Sequence, residues 1–298
     1  MLRKPVFEGL ATALVTPFTK NTVDYDTLNR LLDQQLRARA DAIVVCGTTG
    51  EAAAMRDEEQ FSVIAHCVSY VKNRCKIIAG TGSNDTMHAK EKTQEVCRLG
   101  ADAVLCVSPY YNKCTQNGII AHYEAIADSS DVPVIVYNVP SRTGVNILPE
   151  TYAELSRHEK INGVKEADTN ISKVAKTLCV CPKDFTVWSG NDDMAVSEQA
   201  LGAKGLISVV SNLYPEKTRK MIRLCRKGSY KAAAKIQMEL TPVLELLFAE
   251  VNPIPIKKAL ELSGFPVGIP RLPLTEASET LTGKLSEYLK NGAKGSFI

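Results

Sequence analysis

A lysine ends a short segment that is typical of a buried strand. In the run INGVKEAD, Lys165 directly follows residues 161–164. Lysine is among the residues least often buried, so this position needs a chemical explanation. Partial desolvation favours the neutral amine, which can attack a carbonyl carbon and form an imine. We therefore expect Lys165 to be a nucleophile, with an ion pair at the rim of the fold as the alternative.

Two further reactive side chains belong to the preceding apolar run, VIVYNV, and the loop after it. Tyr137 lies near the end of that run and can exchange a proton with an imine, whereas packing with a backbone-bonded hydroxyl is the alternative. Arg142 lies in the loop 140–144 and suits bidentate binding of a carboxylate, with a surface salt bridge as the alternative. Both residues are candidates for one site with Lys165.

The turn CGTTGEA, at residues 46–52, offers backbone donors. Two glycines flank Thr48 and Thr49, directly before the helix that RDEEQ is predicted to begin. Backbone N–H groups in such a turn can hold a small carboxylate or phosphate. No G-K-[ST] follows, so the turn is not a P-loop, and an ordinary connection remains the alternative.

The elements that must position these residues repeat along the chain. Short β-branched runs, each followed by a turn and an amphipathic stretch, occur at 11–16, 42–47, 76–82, 103–108, 134–139, 161–165, 185–190 and 205–210. Continuous apolar runs predict parallel strands that are covered on both faces. Eight βα units predict a (β/α)8 TIM barrel. A doubly wound sheet is the alternative, but its usual G-x-G-x-x-G turn does not follow the first run.

In such a barrel the chemistry lies at the carboxyl ends of the strands, where all these candidates fall. Side chains alternate along a strand, so Glu166 should point away from Lys165, toward the helices. We predict that residues 1–214 form the catalytic barrel and that 215–298 form a helical region packed with it. The proline-rich segment 252–274 is expected to be a rigid connector between helices.

Composition excludes several functional classes. The chain has 298 residues, 45% of them hydrophobic, and 36 basic against 33 acidic residues. The basic cluster at 217–227 is typical of one polar helix face, so we expect no nucleic-acid partner. No signal peptide or membrane span is predicted. Nine scattered cysteines indicate free thiols and a cytoplasmic protein. The four histidines lie in polar, helix-like stretches and are expected at the surface, so we expect no metal or other cofactor.

Five motifs together resemble a known family. GTTGEA, SPYYNK, YNVPSRTG, GVKEA and SGND, in this order, are similar to the 4-hydroxy-tetrahydrodipicolinate synthase (dihydrodipicolinate synthase) family. These enzymes are pyruvate-dependent class I aldolases, a group that includes N-acetylneuraminate lyase. The similarity runs from about residue 8 to about 274, which is nearly the whole chain.

The resemblance implies a reaction in lysine and diaminopimelate biosynthesis. Lys165 would form an imine with pyruvate, and the derived enamine would attack aspartate 4-semialdehyde. Tyr137, Thr48 and Tyr111 match the proton-relay residues. The equivalent of Tyr111 crosses a subunit interface in the family, which implies a homotetramer built as a dimer of dimers.

The resemblance also implies the substrate contacts. Backbone N–H groups of Thr48 and Thr49 would hold the pyruvate carboxylate, and Arg142 would receive that of the semialdehyde. Gly190 and Ile207 match further substrate-binding positions. A sialic acid or keto-deoxy sugar acid lyase is the main alternative, but the lyases have a segment like IPALSG, without the arginine. The other alternative is a non-catalytic barrel that serves as a binding protein.

Feedback inhibition by lysine is common in this family, and this sequence departs from the inhibited pattern. Asn84 and Tyr110 are kept. Positions that supply Ser, His, His and Glu elsewhere are here Ala52, Asp57, Gln60 and His88. The carboxylate that would pair with an ammonium group of the bound lysine is replaced by His88. Asp57 is a possible substitute, but it begins a helix, and capping of that helix is the alternative role. We therefore expect weak or absent inhibition by lysine.

Overall fold

Eight parallel strands close into a barrel in sequence order. The computed structural model describes residues 3–20 and 22–291. The strands are β1 Gly9–Ala13, β2 Ala42–Val45, β3 Lys76–Gly80, β4 Ala103–Val107, β5 Val134–Asn138, β6 Ile161–Glu166, β7 Thr186–Ser189 and β8 Gly205–Ser208. The barrel closes where β1 pairs with β8, with Ala11 beside Ile207. The predicted TIM barrel is confirmed.

Helices follow the strands and cover the outside of the barrel. They are α1 Tyr25–Arg37, α2 Asp57–Val71, α3 Thr86–Arg98, α4 Gln116–Asp128, α5 Pro140–Thr143, α6 Pro149–Leu155, α7 Ile171–Val180, α8 Ala195–Leu201, α9 Pro215–Arg226, α10 Tyr230–Leu247, α11 Ile254–Leu262 and α12 Glu279–Asn291. Side-chain caps begin several of them. The carboxylate of Asp24, for example, accepts a hydrogen bond from the Thr27 N–H at 3.0 Å and begins α1. No helix in the described part of the chain is long and apolar enough to cross a membrane.

Several strands are shorter or shifted compared with the apolar runs. The first strand is Gly9–Ala13 instead of 11–16, and β2 ends at Val45 instead of residue 47. Cys46 has a φ of 51°, a left-handed conformation that cannot continue the ladder. Runs such as Leu14–Val15 stay buried although they belong to loops, so apolarity alone misplaced the strand ends.

The segment 252–274 contains a helix, so its prediction as a connector is wrong in its first half. Pro253 is the N-cap residue of α11 and Pro255 lies in its first turn, where a missing N–H costs no helical hydrogen bond. The helix α9 packs against β1, and α10 packs against α8 and α9. The region from residue 215 thus contacts the barrel, while the boundary between the two remains a prediction.

One histidine contradicts the expected surface placement. His122 is buried on the inward face of α4, between Ile119 and Ile126. Burial lowers its pKa to about 4, and its Nδ1 is hydrogen-bonded to Thr86 at 2.9 Å. Ile119, Tyr123 and Ile126 are apolar at helical spacing around His122, so the sequence already contained the pattern of this buried face. The nine cysteines are free thiols.

Candidate active site

The interior of the barrel holds Lys165 beside two aromatic residues. Lys165 on β6 lies opposite Tyr137 on β5 and Trp188 on β7 in the strand register. Lys165 is 6% exposed and Tyr137 is 7% exposed, and both lie near the carboxyl ends of their strands. The predicted nucleophile and its neighbour are therefore brought together inside the barrel mouth.

Lys165 is unusual among the buried lysines because it lacks a counter-ion. Lys92, Lys173 and Lys257 each lie within 3.7 Å of a carboxylate oxygen. Within residues 3–20 and 22–291, nothing forms an ion pair or hydrogen bond with the Lys165 ammonium. Its Nζ lies 4.1 Å from the centroid of the Tyr137 ring. The ion-pair alternative therefore does not describe Lys165.

Tyr137 also differs from the packing alternative. Its ring belongs to the inner apolar cluster of the barrel, with Trp188 and Ile207. Within the described residues its hydroxyl donates to no carbonyl, in contrast to that of Tyr123, which donates to the Cys106 carbonyl at 2.8 Å. The phenol group is therefore available for proton exchange beside Lys165.

Gly190 and Ile207 line the same interior. A Cβ on Gly190 would lie 3.1 Å from the Cε of Lys165 and 2.8 Å from the Cβ of Ala167. The glycine thus leaves the space that the lysine stem occupies. Ile207 on β8 is 1% exposed and belongs to the inner apolar cluster.

Glu166 faces the helices, on the side of β6 opposite Lys165, as predicted. One carboxylate oxygen accepts a hydrogen bond from Asn138 at 2.7 Å. The other accepts from the Tyr152 hydroxyl at 2.8 Å and lies 3.1 Å from the Lys173 ammonium. Burial and the Glu166 carboxylate raise the pKa of Tyr152 well above its usual value. This buried network fixes the strand end that carries Lys165.

The turn with the two threonines does not directly precede α2, contrary to the sequence expectation. A short 3₁₀ helix, Ala52–Ala54, separates the turn from α2, because Glu51 adopts a left-handed φ of 55°. No described acceptor takes a hydrogen bond from the N–H of Thr48 or Thr49. These two donors, and not the N-terminus of α2, are available for an anion.

Asn252 links this turn to Arg142, a contact that no sequence pattern indicated. The Asn252 amide donates to the Thr49 hydroxyl at 3.0 Å, and the Arg142 guanidinium donates to the Asn252 carbonyl at 3.0 Å. Arg142 is exposed and lies in the short helix α5 and not in a loop, because Pro140 begins a helical turn. It forms no ion pair with any residue that the structure describes, so the salt-bridge alternative is not seen.

Tyr111 is not brought to the other candidates within the chain. Its side chain is 91% exposed, and its backbone has a left-handed φ of 69°.

Asp192 is a buried neighbour of Lys165 that was not predicted as a site residue from the sequence. Burial raises its pKa, and one of its oxygens accepts the N–H groups of Val209 and Val210 at 2.8 and 3.1 Å. Asp192 is the last residue of the motif SGND, but no role was predicted for it from that motif.

This arrangement suits covalent chemistry on a small keto acid. An uncompensated lysine can attack a ketone carbon, and a neighbouring phenol can move the protons that imine formation requires. Free backbone donors nearby suit a carboxylate, and an exposed arginine at the mouth suits a second one.

Comparisons with known proteins find relatives along nearly the whole chain. The model of the dihydrodipicolinate synthetase family matches residues 6–292. A 4-hydroxy-tetrahydrodipicolinate synthase of Acetivibrio thermocellus is 48% identical over 290 residues, which covers 97% of this chain and 99% of that protein.

Solved structures give the same result. The dihydrodipicolinate synthase of Aquifex aeolicus is 40% identical, with a TM-score of 0.94 over 96% of this chain and 98% of that one. A dihydrodipicolinate synthase variant characterised as the first monomeric one is 38% identical, with a TM-score of 0.94 and 96% of both chains covered.

Proposed function

The chain belongs to the dihydrodipicolinate synthetase family, and we propose that Lys165 carries its reaction through an imine with pyruvate. The activity is that of a 4-hydroxy-tetrahydrodipicolinate synthase, which condenses pyruvate with L-aspartate 4-semialdehyde in lysine biosynthesis. The observation that carries the proposal is the buried Lys165 without a counter-ion, inside the mouth of the barrel.

The first half of the reaction uses Lys165 and Tyr137. The neutral amine of Lys165 attacks the ketone carbon of pyruvate, and the carbonyl oxygen leaves as water once it has received protons. The Tyr137 hydroxyl, next to the amine, passes those protons. Loss of a proton from the methyl group of the imine then gives an enamine.

The second half joins the two substrates. The enamine carbon attacks the aldehyde carbon of the semialdehyde, and the aldehyde oxygen takes up a proton. The amino group of the added substrate then attacks the imine carbon, which closes the ring and releases Lys165. The second proton transfer again requires a group such as Tyr137 close to the reacting atoms.

Two carboxylate contacts orient the substrates. The free N–H groups of Thr48 and Thr49 suit the pyruvate carboxylate, because both can point to one anion. Arg142, exposed at the mouth, suits the carboxylate of the semialdehyde. Gly190 and Ile207 shape the space around the imine.

Tyr111 enters the site only from a second subunit in this proposal. Its 91% exposure is consistent with a side chain that a partner copy covers and that completes the relay of Tyr137 and Thr48. A dimer of dimers is the assembly we propose, although one structural relative is described as a monomeric variant. The nine free cysteines support a cytoplasmic location.

Replacement of Arg142 tests the identity of the second substrate. Arg142→Ala should lower kcat/KM for the semialdehyde by roughly 30- to 5,000-fold, the range seen when one partner of a hydrogen-bonded charge pair is removed. Pyruvate should still form its adduct on Lys165, as measured by borohydride reduction and mass spectrometry. Arg157→Ala, which removes an exposed arginine paired with Glu154 on α6, is the control and should change neither step.

If adduct formation in Arg142→Ala falls as much as turnover, Arg142 does not hold the second substrate. Cleavage of N-acetylneuraminate or a keto-deoxy sugar acid faster than synthesis would instead support the lyase alternative.

A further inference from the structure

Asn252 lies between the two proposed carboxylate contacts, although it belongs to neither a strand nor a strand-to-helix loop of the barrel. It occupies the connection between α10 and α11 and is 8% exposed. Its side chain and its main chain bond to different parts of the site. The amide nitrogen donates to the hydroxyl of Thr49, 203 residues away in sequence, and the carbonyl oxygen accepts from Arg142.

We propose that Asn252 is a positioning residue that supports both substrate subsites, an inference that rests on the proposed function. Its amide holds the Thr49 side chain, and its carbonyl holds the guanidinium of Arg142. The two anionic groups of the substrates are thereby oriented by one residue of the C-terminal region.

The hydrogen-bond direction at Thr49 has a chemical consequence. A hydroxyl group has one donor and two acceptor positions. Because Thr49 accepts from the Asn252 amide, its own proton remains free to be donated toward the pyruvate carboxylate. A bond in the opposite direction would remove that donor from the first subsite.

The surroundings of Asn252 fix its position. Five residues further on, the Lys257 ammonium lies 2.7 Å from Glu51, which is two residues after Thr49. The other oxygen of Glu51 accepts the Arg271 N–H at 2.8 Å. The connection and the following helix α11 are thus each joined to the turn, through Asn252 to Thr49 and through Lys257 to Glu51, and cannot shift without moving that turn. The Oδ1 of Asn252 is buried and has no partner among the described residues, so the amide group is held by its nitrogen.

The test measures pyruvate affinity separately from turnover. Trp188 is the single tryptophan of the chain and neighbours Lys165 in the sheet, so its fluorescence can report pyruvate binding. Asn252→Ala should raise the pyruvate Kd about 10-fold, the size expected from the loss of one hydrogen bond that orients a donor to a charged ligand. The kcat at saturation should stay within about 3-fold of the parent value, because the groups that move protons are unchanged.

The second subsite should respond less. Arg142 bonds to a main-chain oxygen that the substitution leaves in place but that the Thr49 contact no longer helps to hold, so KM for the semialdehyde should rise by only about 2- to 5-fold. An unchanged KM would overturn the role of Asn252 at Arg142.

Asn162→Ala is the matched control. Asn162 is also a buried asparagine that joins two segments, through its contacts with Lys4 and Val6, but it lies at the opposite end of β6 from Lys165. Its replacement should lower stability without changing the pyruvate Kd. If Asn162→Ala raises that Kd as much as Asn252→Ala does, the effect is one of stability, and the proposal is overturned.

A mutant cycle shows whether Asn252 acts through Thr49. Thr49→Val removes the acceptor without altering the connection between α10 and α11, and should itself raise the Kd about 10-fold. The variant with both replacements should bind pyruvate no more weakly than the weaker single variant, since the two changes break one interaction. A combined loss near 100-fold would show independent effects and contradict the proposal.

Asn252→Asp decides the question if Asn252→Ala does not fold. Aspartate keeps the shape but cannot donate, so the Kd should rise at least as much as in the alanine variant. A Kd within 2-fold of the parent value would overturn the proposal. If the parent protein formed no borohydride-trapped adduct with pyruvate, the proposed function itself would fail, a result distinguishable from normal affinity in the Asn252 variants.

Discussion

Lys165 and Lys257 are both buried, but their surroundings assign them opposite roles. Lys257 is 1% exposed, and its ammonium lies 2.7 Å from Glu51 and 4.4 Å from the Phe18 ring centroid. Burial lowers the pKa of Lys257, and the Glu51 carboxylate opposes that change. Lys165 is 6% exposed and faces the barrel interior beside an aromatic ring, and it forms no ion pair with a described carboxylate, although the buried Asp192 attracts it from a longer distance.

The difference shows that burial alone does not identify a nucleophile. A carboxylate stabilises the charged ammonium of Lys257 and holds the C-terminal region to the turn after β2. Without such a partner, the Lys165 amine is not held in an ion pair and is available to attack a carbonyl carbon. Identical substitutions at these two positions should therefore affect different properties of the molecule.

The largest effect should follow from Lys165→Met. Turnover should fall to the background rate, because methionine cannot form an imine. The free energy of unfolding should stay the same or increase, since the substitution removes a buried ammonium that has no partner. A coupled activity assay and urea unfolding measure the two quantities. A loss of several kcal/mol in stability would show that Lys165 is a structural lysine like Lys257.

Tyr137→Phe should have the next largest effect on activity. Removal of the hydroxyl should slow turnover by roughly 10²–10⁴-fold, the usual share of one acid–base group. The aromatic ring beside the Lys165 ammonium remains, so stability should change little. Single-turnover measurement of adduct formation checks this result, and near-normal rates would reduce Tyr137 to a packing role.

Lys257→Met should act on stability instead of chemistry. It leaves the Glu51 carboxylate buried with its hydrogen bond from the Arg271 backbone but without a counter-ion. The free energy of unfolding should fall by about 3–5 kcal/mol, as for other buried pairs that lose one partner. The folded variant should still form the pyruvate adduct on Lys165.

The variant with Glu51→Met and Lys257→Met together is the control for this interpretation. Replacement of both partners should recover part of the lost stability, because no uncompensated charge remains. Equal stability of the single and double variants would show that the ion pair is not the cause.

The smallest effect should be that of added lysine on the enzyme. Asp57, the remaining carboxylate at the proposed inhibitor position, is already hydrogen-bonded to His88 at 2.6 Å and lies 3.7 Å from Lys92. It is therefore not free to pair with the ammonium of a ligand. Lysine titration in the coupled assay should show little inhibition, whereas half-inhibition below about 1 mM would contradict this expectation.

The sequence predicted the parts that follow from local periodicity. Continuous apolar runs specified the strand order of the barrel, and the two-residue alternation placed Lys165 and Glu166 on opposite faces. Local periodicity could not locate the ends of the strands, because β2 ends within an apolar run, where Cys46 adopts a left-handed conformation.

The residues that hold the turn after β2 in place make contacts between distant parts of the chain, which local sequence patterns do not encode. Asn252 reaches Thr49 across 203 positions, and Lys257 reaches Glu51 across 206. The sequence does contain one indication that Lys257 is buried, because it interrupts the apolar run IPIKKAL much as Lys165 ends INGVK. The sequence alone could not tell which of the two lysines has a carboxylate partner.

The most direct measurement is borohydride reduction of the protein in the presence of pyruvate, followed by intact-mass determination and peptide mapping. The imine mechanism predicts one reduced pyruvyl group per chain, located on Lys165, and no adduct in Lys165→Met. An adduct on Lys257 or another lysine, or a parent protein without any adduct, would contradict the assignment of Lys165 as the nucleophile.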